Sequence, residues 1–285
     1  MTCPLCDDTG WKPLESNGVR QVVRCDCWRE RASQQALAQA NVPPRYAACE
    51  FSNFVTYAND RLLKAVDSAR RFAETFPAVE KGLLIIGPPG IGKTHLALAA
   101  LKQVVRTSAA RARYYDTRSL LTQIRSTYNS LTRTAEMDVI RPVMDAELLV
   151  LDDLGAERLT DWVEETMNVI VNARYNAKLP TIFTSNYEDT PNTPGAEDMN
   201  SLLVRVGFRL HSRLREMCEF LEYDGPDYRD LPPNADAEDI YKLWKAQPRR
   251  RLPSRASASA RAQLREPAAR DGKADLKWPG GRAGS

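Results

Sequence analysis

The stretch Gly87-Pro88-Pro89-Gly90-Ile91-Gly92-Lys93-Thr94 constrains this chain more than any other. Its spacing, G-x-x-x-x-G-K-[ST], is that of a loop that wraps the phosphates of a nucleoside triphosphate. Glycines there let the backbone turn tightly and aim N–H groups at phosphate oxygens, and a following helix adds the positive end of its dipole. Lys93 is placed to reach the β- and γ-phosphates and Thr94 to offer its hydroxyl to Mg²⁺. An ordinary Gly/Pro turn can carry a Lys-Thr pair by accident, so the flanks decide. Gly82-Leu83-Leu84-Ile85-Ile86 reads as a buried strand, and His95 to Val105, rich in Ala and Leu, reads as a helix. Strand, glycine-rich turn and helix is the order this chemistry needs, and it predicts an α/β fold.

A second signal lies at Glu147-Leu148-Leu149-Val150-Leu151-Asp152-Asp153. Apolar residues ending in acids describe a buried parallel strand whose carboxylates emerge at its C-terminal end, where α/β folds bind ligands. Asp152 is placed to hold the Mg²⁺ shell and Asp153 to orient the attacking water. A further strand, Leu179 to Asn186, ends in polar residues, and the Asn186 amide can report a γ-phosphate. Between and around these, helices are predicted over Asp60 to Phe76, Thr117 to Tyr128, Glu136 to Asp145, Asp161 to Asn176, Ser201 to Glu216 and Asp236 to Lys245. Strands are predicted at Arg111 to Tyr115 and Phe220 to Tyr223.

Four of the six cysteines fall in Cys3-Pro4-Leu5-Cys6 and Cys25-Asp26-Cys27. The N-terminus lacks a charged-then-apolar leader and no apolar run is long enough to span a bilayer, so the expectation is a cytoplasmic chain without a membrane contact. In that setting paired cysteines read first as a metal site, and two close pairs across a loop suit tetrahedral zinc. The second pair is C-x-C rather than the commoner C-x-x-C. The alternatives are a redox pair, unpaired cytosolic thiols, or an iron–sulfur cluster, which also needs four thiolates. Thr9-Gly10-Trp11 and Asn17-Gly18 between the pairs signal a hairpin. Trp28 to Ala40 reads as an exposed helix that Asn41-Val42-Pro43-Pro44 stops.

Charge separates the two ends of the chain. From Arg249 onward ten Arg and Lys face three acids, which makes the tail +7 and leaves −4 for the remainder of a net +3. The body is thus not a broadly basic nucleic-acid platform. The Arg/Ala/Ser/Pro/Gly-rich stretch 247–285 is expected to be disordered. Thr190 to Glu197 reads as a loop. Tyr114, Tyr115, Arg118, Arg125 and Arg133 mix rings and cations in a way that suits single-stranded nucleic acid, but residue by residue a buried strand followed by a solvated helix face is favoured. Tyr46, Phe51 and Phe54 either flank a base or pack the domain edge. Arg205, Arg209, Arg213 and Arg215 give one segment an unusual arginine density, which suits a charge supplied to a neighbour's γ-phosphate or a solvated basic face.

Together, Phe51-Ser52-Asn53-Phe54, Gly87 through Ala97, Leu149-Val150-Leu151-Asp152-Asp153-Leu154-Gly155-Ala156-Glu157, Arg174-Tyr175 and Pro180 through Asn186 make the chain resemble a known family. It is similar, over residues 43 to 230, to the bacterial and phage helicase loaders of the DnaC/DnaI type and to the closely similar IstB transposition helpers, all AAA+ ATPases. The resemblance implies that Gly87, Pro88, Pro89, Gly90, Ile91, Gly92, Lys93, Thr94 and His95 cradle ATP with Asp152. It implies Asp153 and Asn186 as catalytic residues, Arg213 as an arginine finger with Arg209 a weaker alternative, and Arg229, in Asp227-Tyr228-Arg229, as a second sensor. Cys3, Cys6, Cys25 and Cys27 look like the zinc-binding front end of some loaders, the part that contacts the helicase.

The implied organisation is a docking segment over 1–42, an AAA+ domain over 43–246 and a basic tail over 247–285. The implied cofactors are ATP, Mg²⁺ and Zn²⁺. The implied partners are a hexameric replicative helicase, single-stranded DNA and further copies of the chain meeting at the ATP site. The rival is an IstB-like regulator of a transposase on duplex DNA, which the cysteine front end disfavours. A non-catalytic adaptor is disfavoured by the full set of Lys93, Asp152, Asp153 and Asn186.

Overall fold

The computed structural model describes residues 3–16, 19–127, 134–189, 201–231 and 235–246. The Asn17-Gly18 turn, Arg133, the loop expected at 190–197 and the tail expected at 247–285 lie outside the described residues, as does all of a second unit at Pro253–Ser285. No helix among the described residues is long and apolar enough to cross a membrane.

The chain begins with an antiparallel pair, β1 (Trp11–Ser16) and β2 (Val19–Arg24), in register from Trp11 opposite Arg24 to Ser16 opposite Val19. Helix α1 (Asp26–Gln39) follows. It is largely exposed, as expected, but its end is anchored: Ala40 is fully buried and its carbonyl accepts from the Tyr114 N–H at 2.8 Å. The connecting segment is then fixed by one side chain. The buried Lys102 ammonium donates to the carbonyls of Tyr46, Ala47 and Cys49 at 2.8, 2.7 and 3.1 Å.

Helix α2 (Asp60–Thr75) starts at Asn59, whose amide oxygen accepts from the N–H groups of Arg61 and Leu62. Next come β3 (Gly82–Ile86), α3 (Lys93–Ser108), β4 (Ala112–Asp116), α4 (Thr117–Thr127), α5 (Thr134–Met144) and β5 (Leu148–Asp152). They are followed by α6 (Asp161–Asn176), β6 (Thr181–Ser185), α7 (Leu202–Val206), α8 (Phe208–Met217), β7 (Cys218–Glu222) and α9 (Ala237–Ala246). Among the described residues the main sheet has five strands, all parallel, in the order β4-β5-β6-β3-β7.

Both faces of the sheet are covered, which is why its strands read as unbroken apolar runs. Alternate residues point to opposite sides. Leu83, Ile85, Leu148, Val150 and Ile182 pack with α2 and α3. Leu84, Ile86, Leu149, Leu151 and Phe183 pack with α4, α5, α6 and α8. Each such side chain contributes about 1.5–3 kcal/mol on burial.

Two features differ from the sequence reading. The helix predicted over Ser201 to Glu216 is broken at Gly207, which adopts φ +84° and would drive a side chain against the Glu164 carboxylate. Arg174, on a helix that reads as ordinary, is buried to 1% exposure. Its guanidinium donates to Thr181 Oγ1 at 2.8 Å and to the carbonyls of Val143, Met144, Ala146 and Pro180 at 2.7–3.1 Å. Burial draws its pKa down to about 9. It ties the start of β5 to the start of β6, so the strand ends that carry Asp152 and Ser185 are held in register.

Candidate nucleotide-binding site

The loop between β3 and α3 lies at the C-terminal edge of the sheet. Gly90 and Gly92 sit at φ +83° and +91°, in the region that favours glycine. Gly90 has a second reason to lack a side chain: a Cβ there would collide with the Asp227 carboxylate. The Tyr228 N–H also donates to the Gly90 carbonyl at 3.0 Å, so residues 227–228 clip onto the loop.

Lys93 opens α3 and is 6% exposed. Its ammonium donates to the Pro88 carbonyl and to Asn186 Oδ1, both at 2.7 Å. Burial lowers its pKa to about 8 against the opposing pull of Asp153 and Asp152. The Thr94 hydroxyl donates to Asp152 at 2.9 Å. Asp152 is 6% exposed and collects two further donors, the Thr184 hydroxyl at 2.6 Å and the Tyr114 phenol at 2.8 Å. Asp153 has φ +58°, a left-handed backbone that turns its carboxylate away from the strand's alternation. The Asn186 amide donates to Asp153 Oδ1. Burial, then the neighbouring Asp152 charge, raises the Asp153 pKa.

Lys93, Thr94, Asp152, Asp153 and Asn186 therefore form one hydrogen-bonded cluster drawn from β3–α3, β5 and β6. Three other expected residues stand differently. The His95 ring is taken up by Glu50 and Asn53, at 2.9 and 3.0 Å, and lies edge-on to Phe54, so only its backbone faces the loop side of α3. Arg229 is exposed beside Asp227, and its charge is felt at Lys93. Arg213, on α8, turns one guanidinium N–H back onto the Arg209 carbonyl and shares no hydrogen bond with the cluster.

Sequence reading missed Tyr114 and Asp227. Tyr114 sat in a mixture of rings and cations that suited nucleic acid; the structure places its phenol on Asp152 and its ring against Tyr46. The period-two burial of Ala112 and Tyr114 was the available signal. Asp227 had no local signal, because its partner Gly90 is distant in sequence. Of the aromatics upstream, Phe51 packs under Arg70 and Phe54 against His95.

At the other end of the molecule the four cysteine sulfurs all lie within 4.8 Å of one another. Cys6 and Cys27 are 3.2 Å apart and Cys3 and Cys25 3.8 Å. Thiolates on one tetrahedral zinc stand about 3.8 Å apart, from Zn–S bonds near 2.3 Å. The set therefore fits a single zinc ion, whereas thiolates on a multi-iron cluster bind different irons and spread further. The hairpin around it leaves large apolar side chains in solvent: Leu5 is 63%, Val22 69% and Trp11 48% exposed. The Arg24 guanidinium lies 4.8 Å from the Trp11 ring centre and 4.2 Å from that of Trp28.

A glycine-rich loop between a buried strand and a helix, with acids closing another strand of the same parallel sheet, defines a P-loop nucleotide-binding protein. The chain belongs to the family of IstB-like ATP binding proteins, whose model matches residues 6–205. It is 26% identical to the phage-like element PBSX protein XkdC of Bacillus subtilis, over 76% of this chain and 79% of that protein. It is 24% identical to the replicative helicase loader DnaC of Escherichia coli K12, over 66% of this chain and 71% of the loader. Among solved structures, the DnaC helicase loader superposes with a TM-score of 0.55 at 32% identity, over 63% of this chain and 99% of that one. DnaI superposes with a TM-score of 0.50 at 25% identity, over 66% and 94%.

Proposed function

We propose that this chain is an ATPase that holds a hexameric replicative helicase and places it on single-stranded DNA, with hydrolysis driving release. The observation that carries this reading is the pairing of one complete phosphate cluster with a cysteine-organised hairpin that exposes Leu5, Trp11, Val22 and Trp28. Four large apolar side chains exposed within one short segment suit a protein docking surface. Similarity to proteins named as helicase loaders supports the choice of partner.

In this reading residues 1–42 dock the helicase, 43–246 bind and hydrolyse ATP, and 247–285 form a basic extension. Cys3, Cys6, Cys25 and Cys27 would hold Zn²⁺, which supplies the hairpin with the core it is too short to build. The 87–94 loop takes the triphosphate, Lys93 leaves Asn186 Oδ1 for the β- and γ-phosphates, and the Asn186 side-chain N–H₂, which donates to Asp153, turns to the γ-phosphate. Asp153 accepts a proton from the water that attacks the γ-phosphorus, and the bridging oxygen departs with ADP. When bound, Mg²⁺ supplies neutralising charge on the β- and γ-oxygens, and Thr94 and Asp152 would hold it. Arg229 acts in its own subunit. Arg213 is offered to the nucleotide of a neighbouring copy, so isolated chains hydrolyse ATP slowly and self-assembly speeds it.

The test is the native mass of this protein mixed with its host's replicative helicase, with and without ATP. A complex of helicase hexamer and several copies, dependent on ATP and lost when Cys3 and Cys6 are changed to Ser, is the expected result. Absence of a complex in both conditions, with duplex DNA bound instead, replaces this reading with that of a transposase regulator.

A further inference from the structure

Arg213 is flanked on its helix by two residues that grip the same carboxylate. His211 is 5% exposed, and its Nε2 donates to Asp189 Oδ1 at 2.6 Å. Arg215 donates to Asp189 Oδ2. Residues four apart share a helix face, and the residue midway between them lies on the opposite one, because each position turns the helix by about 100°. Asp189 thus holds the 211/215 face of α8, and Arg213 is directed to the other side. A slip of α8 by one residue would carry Arg213 off that side.

The carboxylate that does this lies just beyond β6, the strand that leads into the phosphate cluster. Asp189 follows Asn186 by three positions, and Asn186 touches both Lys93 and Asp153. The residues between are also tethered. The Tyr187 phenol oxygen accepts from Arg205 Nη2 at 2.6 Å, and Arg205 Nε donates to the Gly155 carbonyl at 2.9 Å, in the loop just after Asp153. The Leu202 N–H donates to the Glu188 carbonyl at 2.6 Å. Gly207, at φ +84°, separates α7 from α8 and leaves α8 free of continuous helical backbone on that side.

We propose that Asp189, with His211, is a positioning residue that sets the rotation of α8 and so makes the presentation of Arg213 to a neighbouring nucleotide depend on where Asn186 stands in its own site. This rests on the reading of Arg213 as a finger acting in trans. A subunit whose Asn186 has engaged phosphate then presents its arginine differently from one whose Asn186 is bound to Lys93, and successive sites along an assembly fire in order.

The experiment measures ATP hydrolysis by the full-length chain at concentrations that support assembly, for Asp189→Ala, Asp189→Asn, Arg213→Ala and Asp153→Asn alone and in mixtures. Asp189→Ala is expected to keep its KM for ATP within about twofold while kcat falls at least about tenfold, as for loss of a group that acts only on the transition state. Asp189→Asn, which keeps an acceptor for one of the two partners, falls between it and the parent. Asp153→Asn cannot hydrolyse but carries an intact finger. Mixing it with Asp189→Ala restores turnover, and mixing Asp189→Ala with Arg213→Ala does not. Restoration of Arg213→Ala but not of Asp189→Ala by Asp153→Asn overturns the inference and leaves the finger in place. Failure to restore either one overturns the finger reading itself.

Discussion

The P-loop domain and the cysteine hairpin solve the same problem by opposite means. The domain covers both faces of its sheet, and β3, β5 and β6 bury every residue. The hairpin is two six-residue strands, on which Trp11, Leu14 and Val22 are exposed, as is Trp28 on the helix that follows. Of its four clustered cysteines, Cys6 and Cys25 are buried and Cys3 and Cys27 half-buried. A structure held by many small apolar terms loses stability gradually under substitution; one held by a single bonded centre keeps or loses it at once. The two regions should therefore fail independently, and this can be tested from the strongest perturbation to the weakest.

Removal of metal is the largest. Structural zinc contributes about 10–16 kcal/mol of apparent binding free energy in small modules, and that energy is folding energy. Chelation, or Cys3→Ser with Cys6→Ser, should abolish amide protection in residues 3–25 while ATP binding persists. Hydrogen exchange checks it, and protection retained in the metal-free hairpin would break the comparison. Arg174→Met comes next. It removes five hydrogen bonds, two of them to the buried carbonyls of Val143 and Ala146, a loss of about 4 kcal/mol. The urea midpoint should fall with the zinc content unchanged.

Lys93→Ala tests the site rather than the fold. Losing a charged hydrogen bond to phosphate is worth about 3 kcal/mol, so affinity for ATP should weaken roughly a hundredfold, read by calorimetry, at an unchanged melting temperature. The smallest effect on stability is expected for Trp28→Ala, which removes half of the Arg24 stack and costs about 1 kcal/mol or less. The same change should still weaken helicase binding. A loss of stability as large as that of Arg174→Met would show that the hairpin has an apolar core after all.

What could be read from the sequence divides along similar lines. The phosphate loop, the strand ending in Asp152 and Asp153, and helix α6 are local patterns in which residue type and spacing carry the chemistry. Asp161 to Asn176 is the span of α6 in both the reading and the structure. The break at Gly207 depends on Glu164, the role of Tyr114 on Asp152, and the space at Gly90 on Asp227. Each is a pairing between distant segments, and no window of sequence contains both partners. Arg174 shows the point most plainly: the sequence offers it only within the Arg174-Tyr175 pair, and three of its four carbonyl partners lie in a distant segment.

The two acceptors of Lys93 have a consequence of their own. Its ammonium is already shared between the Pro88 carbonyl and Asn186. In the proposed function a triphosphate would therefore not add a bond to an idle cation; it would displace an existing partner. The net gain is the difference between two partnerships, which holds affinity below what the contacts alone would suggest. In that reading, departure of phosphate would return Lys93 to Asn186, which would offset part of the cost of release.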